Sequence, residues 1–281
     1  WDDGNGIIAD QGADSSWIYN NICFGNEGAG IAITASSYCF VLNNTIVANG
    51  YCEHAGNKAG LAVVSTIENI KDASNETVIG NILVNNAYYQ MIIADIANDS
   101  HLFHHNLYNN GPVTGTEAII HYRDEDIPTY ERDFNTIRDF QSYWKEKGNS
   151  VNCMGSLDTN PLLVCGGSKP DSAADVYLLA TSPARKASVA MSQWFQDDFF
   201  TVERVKYEMW DMGAVQFINH LPHTFVLREP ANRAKLKSLN PVLYWESVID
   251  PDPGDTVFYN LKISQDKNFQ NAVITKTLSD T

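Results

Sequence analysis

The chain has 281 residues, with 19 Lys and Arg against 34 Asp and Glu, a formal net charge of −15 and a pI near 4.7. Without a basic stripe to neutralise phosphates, nucleic acid is excluded as a partner, and the same acidity disfavours an anionic membrane leaflet. No apolar run reaches the length of a transmembrane helix, so membrane insertion is not expected.

The first elements in chain order are short and repetitive. Gly6-Ile7-Ile8-Ala9 reads as the tail of one unit. It is followed by "SWIYNNICFGNEGAGIAI" from Ser16, "SYCFVLNNTIVANG" from Ser37, "ETVIGNILVNNAYY" from Glu76 and "SHLFHHNLYNNG" from Ser100. Each carries an apolar alternation, an Asn, a short apolar run and a second Asn. Asn21 and Asn26, Asn44 and Asn49, and Asn81 and Asn86 are five apart, whereas Asn106 and Asn110 slip by one. A further apolar strand follows each: Ile31-Ala32-Ile33, Leu61-Ala62-Val63-Val64, Met91-Ile92-Ile93 and Ala118-Ile119-Ile120. The steps Asn21 to Asn44 to Asn81 to Asn106 are 23, 37 and 25 residues, so one coil repeats and the second carries an insertion.

Runs of this length, rich in Ile, Val, Tyr and Phe and bounded by Asn and Gly, are strands and not helices. A fixed period built from such strands predicts a solenoid, and specifically a β-helix in which each coil hydrogen-bonds its neighbours. Asn tolerates the left-handed backbone of a sharp corner, and its amide can bond the Asn of the next coil. Asn21, Asn44, Asn81 and Asn106 are therefore expected to form a structural ladder.

Beyond the repeats come "TIRDFQSYWKEKGNSVN", "DTNPLLV", "VYLLATSPARKAS" and "DMGAVQF". Together with the "NNI..N...GI.I" repeats, these resemble the right-handed parallel β-helix superfamily of pectate lyases, alginate and chondroitin lyases, polygalacturonases and related secreted proteins. The resemblance implies coils over residues 1–125 and a terminal cap with the last coils over 126–220, closing the open end of the solenoid. Of five cysteines, Cys23 and Cys39 read as small core residues, and Cys153 and Cys165 as the better disulfide candidates.

Residues 221–281 change character. Leu243–Glu246 and Val257–Ile263 alternate as strands of a one-sided sheet and resemble the start of a fibronectin type III-like sandwich, with Trp245 as its buried aromatic. The "DPDPGD" turn at 250–255 offers carboxylates to calcium. Only a partial β-sandwich fits, since a full one needs about 100 residues. The fold class expected is all-β: a parallel β-helix, its cap and a partial sandwich.

In the resembled lyases a polysaccharide lies along one parallel sheet. Calcium or a basic residue offsets the uronate carboxylate while a base removes the C5 proton. The hydrolases of the superfamily use paired carboxylates instead. Aligned strands put Asp10, Thr34, Val64, Ala94 and His121 in one column, and Gln11, Ala35, Ser65, Asp95 and Tyr122 in the next. "IIHYRDED" joins His121 as base to Arg123 as carboxylate ligand, with Asp124 and Asp126 as calcium ligands. The insertion "YCEHAGNKAG" carries Glu53, His54 and Lys58 over the same face. His54 and Lys58 join the catalytic candidates; Tyr122, Asp95 and Glu53 are candidate substrate contacts. His101, His104 and His105 read as packing or corner groups, and Asp197 and Asp198 as a cap loop.

No stretch matches the catalytic motif of a particular lyase or hydrolase family. The chain opens in mid-coil at Trp1 and stops in an unfinished module at Thr281. It is therefore expected to be a fragment of a longer bacterial protein, secreted or on the cell surface, monomeric and bound to polysaccharide. A lyase is expected first, a glycoside hydrolase second, and a non-catalytic glycan-binding or adhesin-like protein third.

Overall fold

A computed structural model describes residues 4–55, 57–65, 73–96, 101–110, 118–124, 131–149, 151, 153–238 and 240–279. The chain divides into two compact units, Trp1–Phe217 and Ile218–Thr281.

In the first unit, strands recur in threes. β1 (Ile7–Asp10), β2 (Trp17–Tyr19) and β3 (Ile22–Phe24) are followed by β4 (Ile31–Thr34), β5 (Phe40–Leu42) and β6 (Thr45–Val47). Next come β7 (Ala59–Val64), β8 (Thr77–Ile79) and β9 (Ile82–Val84), then β10 (Tyr89–Ile96), β11 (Leu102–His104) and β12 (Leu107–Asn109). β13 (Ile120–Asp124) and β14 (Glu131–Phe134) precede the single α-helix among the described residues, α1 (Ile137–Glu146). Like pairs with like: β1-β4-β7-β10-β13 form one parallel sheet, β2-β5-β8-β11 a second and β3-β6-β9-β12 a third. β14 alone is antiparallel, added beside β13. The fold is therefore all-β with parallel sheets.

Alternation along each strand aims every second residue inward. Ile31, Leu61, Met91 and Ile120 stack in register from the first sheet, Ile18, Val41, Val78 and Phe103 from the second, and Cys23, Ile46, Leu83 and Tyr108 from the third. All of them belong to one buried cluster. α1 completes that cluster through Ile137, Phe140, Tyr143 and Trp144. Its first turn is capped twice: Thr136 Oγ1 accepts from the Asp139 amide at 3.1 Å, and Asp158 Oδ2 from the Ile137 amide at 3.1 Å.

The expected Asn ladder is present. Nδ2 of Asn21, Asn44 and Asn81 donates to Oδ1 of Asn44, Asn81 and Asn106 at 3.0, 3.0 and 2.9 Å. The same oxygens accept the backbone N–H of the preceding ladder residue. A second ladder runs Asn26, Asn49, Asn86, and there the one-residue slip is absorbed by Gln90: Asn86 Nδ2 donates to its Oε1 at 2.8 Å, and its Nε2 reaches Asn110 Oδ1 at 3.1 Å. The left-handed corner belongs to the residue before the ladder Asn, namely Asn20, Asn43, Gly80 and His105. The paired asparagines thus divide the two roles that sequence reasoning had given to one.

Only the first of the four cap segments packs at the end of the stack. The other three lie along the outside of the sheets: Leu163, Leu178, Ala184, Met212, Ala214 and Val215 pack with Val47, Ile82, Val84 and Leu107 of the third sheet. Met191 and Trp210 pack with Leu42 and Ile79 of the second. Strands such as Thr45–Val47 and Ile82–Val84 are apolar enough on both faces to need such a cover. The disulfide expectation fails as well. All five cysteines are free, Cys153 being buried in the inner cluster and Cys165 packed against the outer one. Cys23 and Cys39 are core residues as expected, and burial pushes the Cys23 thiol up to about 12.

The second unit holds two antiparallel pairs, β15 (Leu227–Glu229) with β16 (Tyr244–Trp245) and β17 (Phe258–Ser264) with β18 (Ala272–Ser279). Trp245 is half-buried, and the ring that is buried is Tyr259, 5 % exposed, with Phe225 and Trp245 at 5.3 and 5.6 Å.

Candidate functional site

The outward positions of the first sheet form a row through Ala32, Ala62, Ile92 and His121, and β14 adds Asp133 opposite His121. His121 Nδ1 lies 2.8 Å from Asp133 Oδ1, with the imidazole 19 % exposed. A carboxylate accepts but does not donate, so Nδ1 carries the proton and Nε2 is left as the basic nitrogen. Tyr89, at the start of β10, stacks on the imidazole with ring centroids 5.0 Å apart, and its hydroxyl is 3.5 Å from Asp133 Oδ2. Burial, with Asp133 and Glu131 in support, holds the Tyr89 phenol above its ordinary range, so it stays protonated. Three adjacent strands thus bring an imidazole and a phenol to one carboxylate.

Arg123 faces Glu131 across the β13–β14 pair, two positions along the same face. The register differs from the sequence alignment. Ala94 pairs with Arg123, and His121 with Ile92, two residues earlier. Tyr122, expected on the outward face with His121, alternates with it instead: it points inward at 4 % exposure and packs against Tyr143 and Trp144 at 5.2 and 6.0 Å. Lys58, just before β7, lies with Nζ 4.9 Å from the Tyr88 ring centre, one residue from Tyr89. Glu53 and His54 are exposed in the turn before it. Asp95 lies where the β10–β13 register shifts, Asp124 ends β13, and the side chains of both lie outside the described residues, as does all of Asp126. Tyr89 and Asp133 were missed by sequence reasoning.

The other expected packing histidines fit that role. His101 is buried with Nδ1 2.6 Å from Glu76 Oε2, and His104 and His105 bring their Nδ1 atoms to 2.8 Å, a distance at which one neutral ring donates to the other. Asp198 organises its loop, accepting from the amides of Phe200, Val202 and Gln216. In the second unit Asp250, Asp252 and Asp255 bring carboxylate oxygens within 4.8 Å of one another, a spacing that can hold a metal ion. Asp252 Oδ2 also accepts from the His220 amide, and Oδ1 lies 2.6 Å from its ring Nδ1. Among the described residues no helix is long and apolar enough to cross a membrane. Comparison with family models, curated proteins and solved structures gives no match.

Proposed function

We propose that the chain belongs to a secreted polysaccharide-active protein built on a right-handed parallel β-helix, which cleaves an acidic polysaccharide by β-elimination at Tyr89, His121 and Asp133. Like-with-like strand pairing and one core shared by three inner faces support the β-helix. The observation that carries the chemistry is His121 held by Asp133 at 2.8 Å under a stacked, protonated Tyr89.

In this reading His121 Nε2 takes the C5 proton, and Asp133 stabilises the imidazolium that forms. Electrons move from the C5–H bond into a new C4–C5 double bond as the C4–O bond breaks. Tyr89 gives its proton to the departing oxygen. Arg123 offsets the uronate carboxylate, whose charge otherwise opposes loss of the C5 proton. No step is routed through calcium: Asp124 and Asp126, its expected ligands, have side chains outside the described residues.

Hydrolysis is the second reading, favoured by Glu131 and Asp133. They lie two residues apart on one face of β14, and a pair of carboxylates is what hydrolysis needs. The test incubates the chain with a panel of uronate polymers and follows both ultraviolet absorbance of unsaturated product and reducing ends. Unsaturated product that falls at least a hundredfold in H121A and D133N, and tenfold or more in Y89F, is the expected result. Reducing ends without unsaturation move the reading to hydrolysis, and binding without either moves it to a glycan-binding protein.

A further inference from the structure

The insertion in the second repeat has a structural consequence away from His121. Its first residues fold back on the turn after β3: the Gly50 amide donates to the Asn26 carbonyl at 2.9 Å and the Cys52 amide to the Glu27 carbonyl at 3.2 Å. Tyr51 is pinned by its hydroxyl, which donates to the Asn85 carbonyl at 2.7 Å, while its ring stays 49 % exposed. Between these segments and Lys169 lies a cavity of about 520 Å³, lined by Asn26, Glu27, Tyr51, Cys52, Asn85 and Lys169 together with Gly25 and Ala48. That volume is in the range of small-molecule sites.

The backbone of the turn shapes one wall. Gly25 has φ +67°, and a Cβ there would sit 2.5 Å from Lys169 Cε, so the bare backbone lets the lysine lie across the turn. Asn85 and Ala48 hold the matching left-handed corners in the neighbouring repeats. We infer that this cavity is a binding site for a single uronate residue of a glycan, separate from the Tyr89, His121 and Asp133 cluster.

The lining chemistry selects that class. Lys169 is the one cation in the wall of a chain with net charge −15, so an anionic group enters only against it. Glu27 in the same wall calls for hydroxyl donors on the ligand, and the Asn26 amide offers both donor and acceptor. The Tyr51 ring supplies a flat wall for the apolar face of a pyranose. A neutral sugar leaves Lys169 without a partner. A phosphate monoester brings close to two negative charges to a wall with one amine and one carboxylate, against one for a uronate. A uronate carries both the carboxylate and the hydroxyl donors. The choice of sugar rests on the polysaccharide reading, whereas the site itself rests on the cavity.

The test is calorimetric titration of the whole chain with short galacturonate oligomers and with neutral galactose oligomers of equal length. Expected are binding of the uronate series in preference to the neutral one, at least tenfold weaker binding in K169M and in Y51A, and an unaltered unfolding midpoint in K169M, whose side chain is on the surface. Product formation at saturating polymer is followed in parallel. Lys169-dependent binding without any cleavage sinks the lyase reading and leaves this site standing. Cleavage with uronate affinity unchanged in both variants overturns the site, and so does wild-type chain that binds neither series or prefers the neutral one.

Discussion

At the scale of single residues, the ladder asparagines differ by position although they share a motif. Asn81 is fully buried: its Oδ1 serves the amide and side chain of Asn44, and its Nδ2 reaches Asn106 and the Val41 carbonyl. Removing it strands several buried polar groups at once, each costing about 1–3 kcal/mol. N81A is expected to lose about 3 kcal/mol or more, against about 1 kcal/mol for N21A at the half-buried first position, measured by chemical denaturation. Equal losses would mean that the ladder does not act through burial. The paired imidazoles add a pH dependence. Burial and the neighbouring His105 lower His104 to about 4 from 6.5. The unfolded chain therefore binds the proton first as pH falls, so the stability contributed by neutral His104 is present above pH 6.5 and is lost as pH drops to about 4. Melting temperature against pH should decline across that window, and H104Q should flatten the decline.

At the scale of elements, the closing helix and the outer segments make unequal contributions. Trp144 of α1 is fully buried among Tyr122, Phe140 and Tyr143, with centroids at 6.0, 6.0 and 5.6 Å, at the end of the inner columns. W144A should cost about 3–5 kcal/mol in denaturant unfolding. Phe200, more than a third exposed and stacked only at the surface on Tyr177 at 5.2 Å and beside Phe199 at 5.0 Å, should cost about 1 kcal/mol as F200A. The repeat, the strands and the ladder were legible because each is written as a residue spacing, and like-with-like parallel pairing needs regular spacing. The register of β13 was not. Period-two alternation leaves a slip of two residues invisible, since it returns every side chain to the same face. The same alternation did forbid His121 and Tyr122 from facing one surface together, so Tyr122 was misplaced against a signal that was present. Asp133 reaches the site on β14, which folds back antiparallel and belongs to no repeat, and periodicity is silent about it. Strands apolar on both faces, such as "ILV" at β9, were the sign that the later segments would cover the sheets from outside.

At the scale of the whole molecule, the two units differ in how much they bury. The first keeps stacked columns from three sheets under a closing helix and a second layer outside. In the second, the buried hydrophobic side chains among the described residues are Val248 and Tyr259, and its sheets are two-stranded. Two-stranded pairs are marginal in water, and a core this small cannot offset chain entropy by itself. Cooperative unfolding of the chain should therefore report on Trp1–Phe217. A chain ended after Phe217 is expected to keep the denaturation midpoint of the full chain, and with it any uronate binding at Lys169 and any cleavage at His121, because every residue of both sites lies before that point. Hydrogen exchange should show the same division, with protected amides along the parallel sheets and fast exchange from β15 to β18. A midpoint that falls sharply on removing residues 218–281 would place stabilising interactions of the first unit in the second, and the two could then no longer be treated as thermodynamically separate.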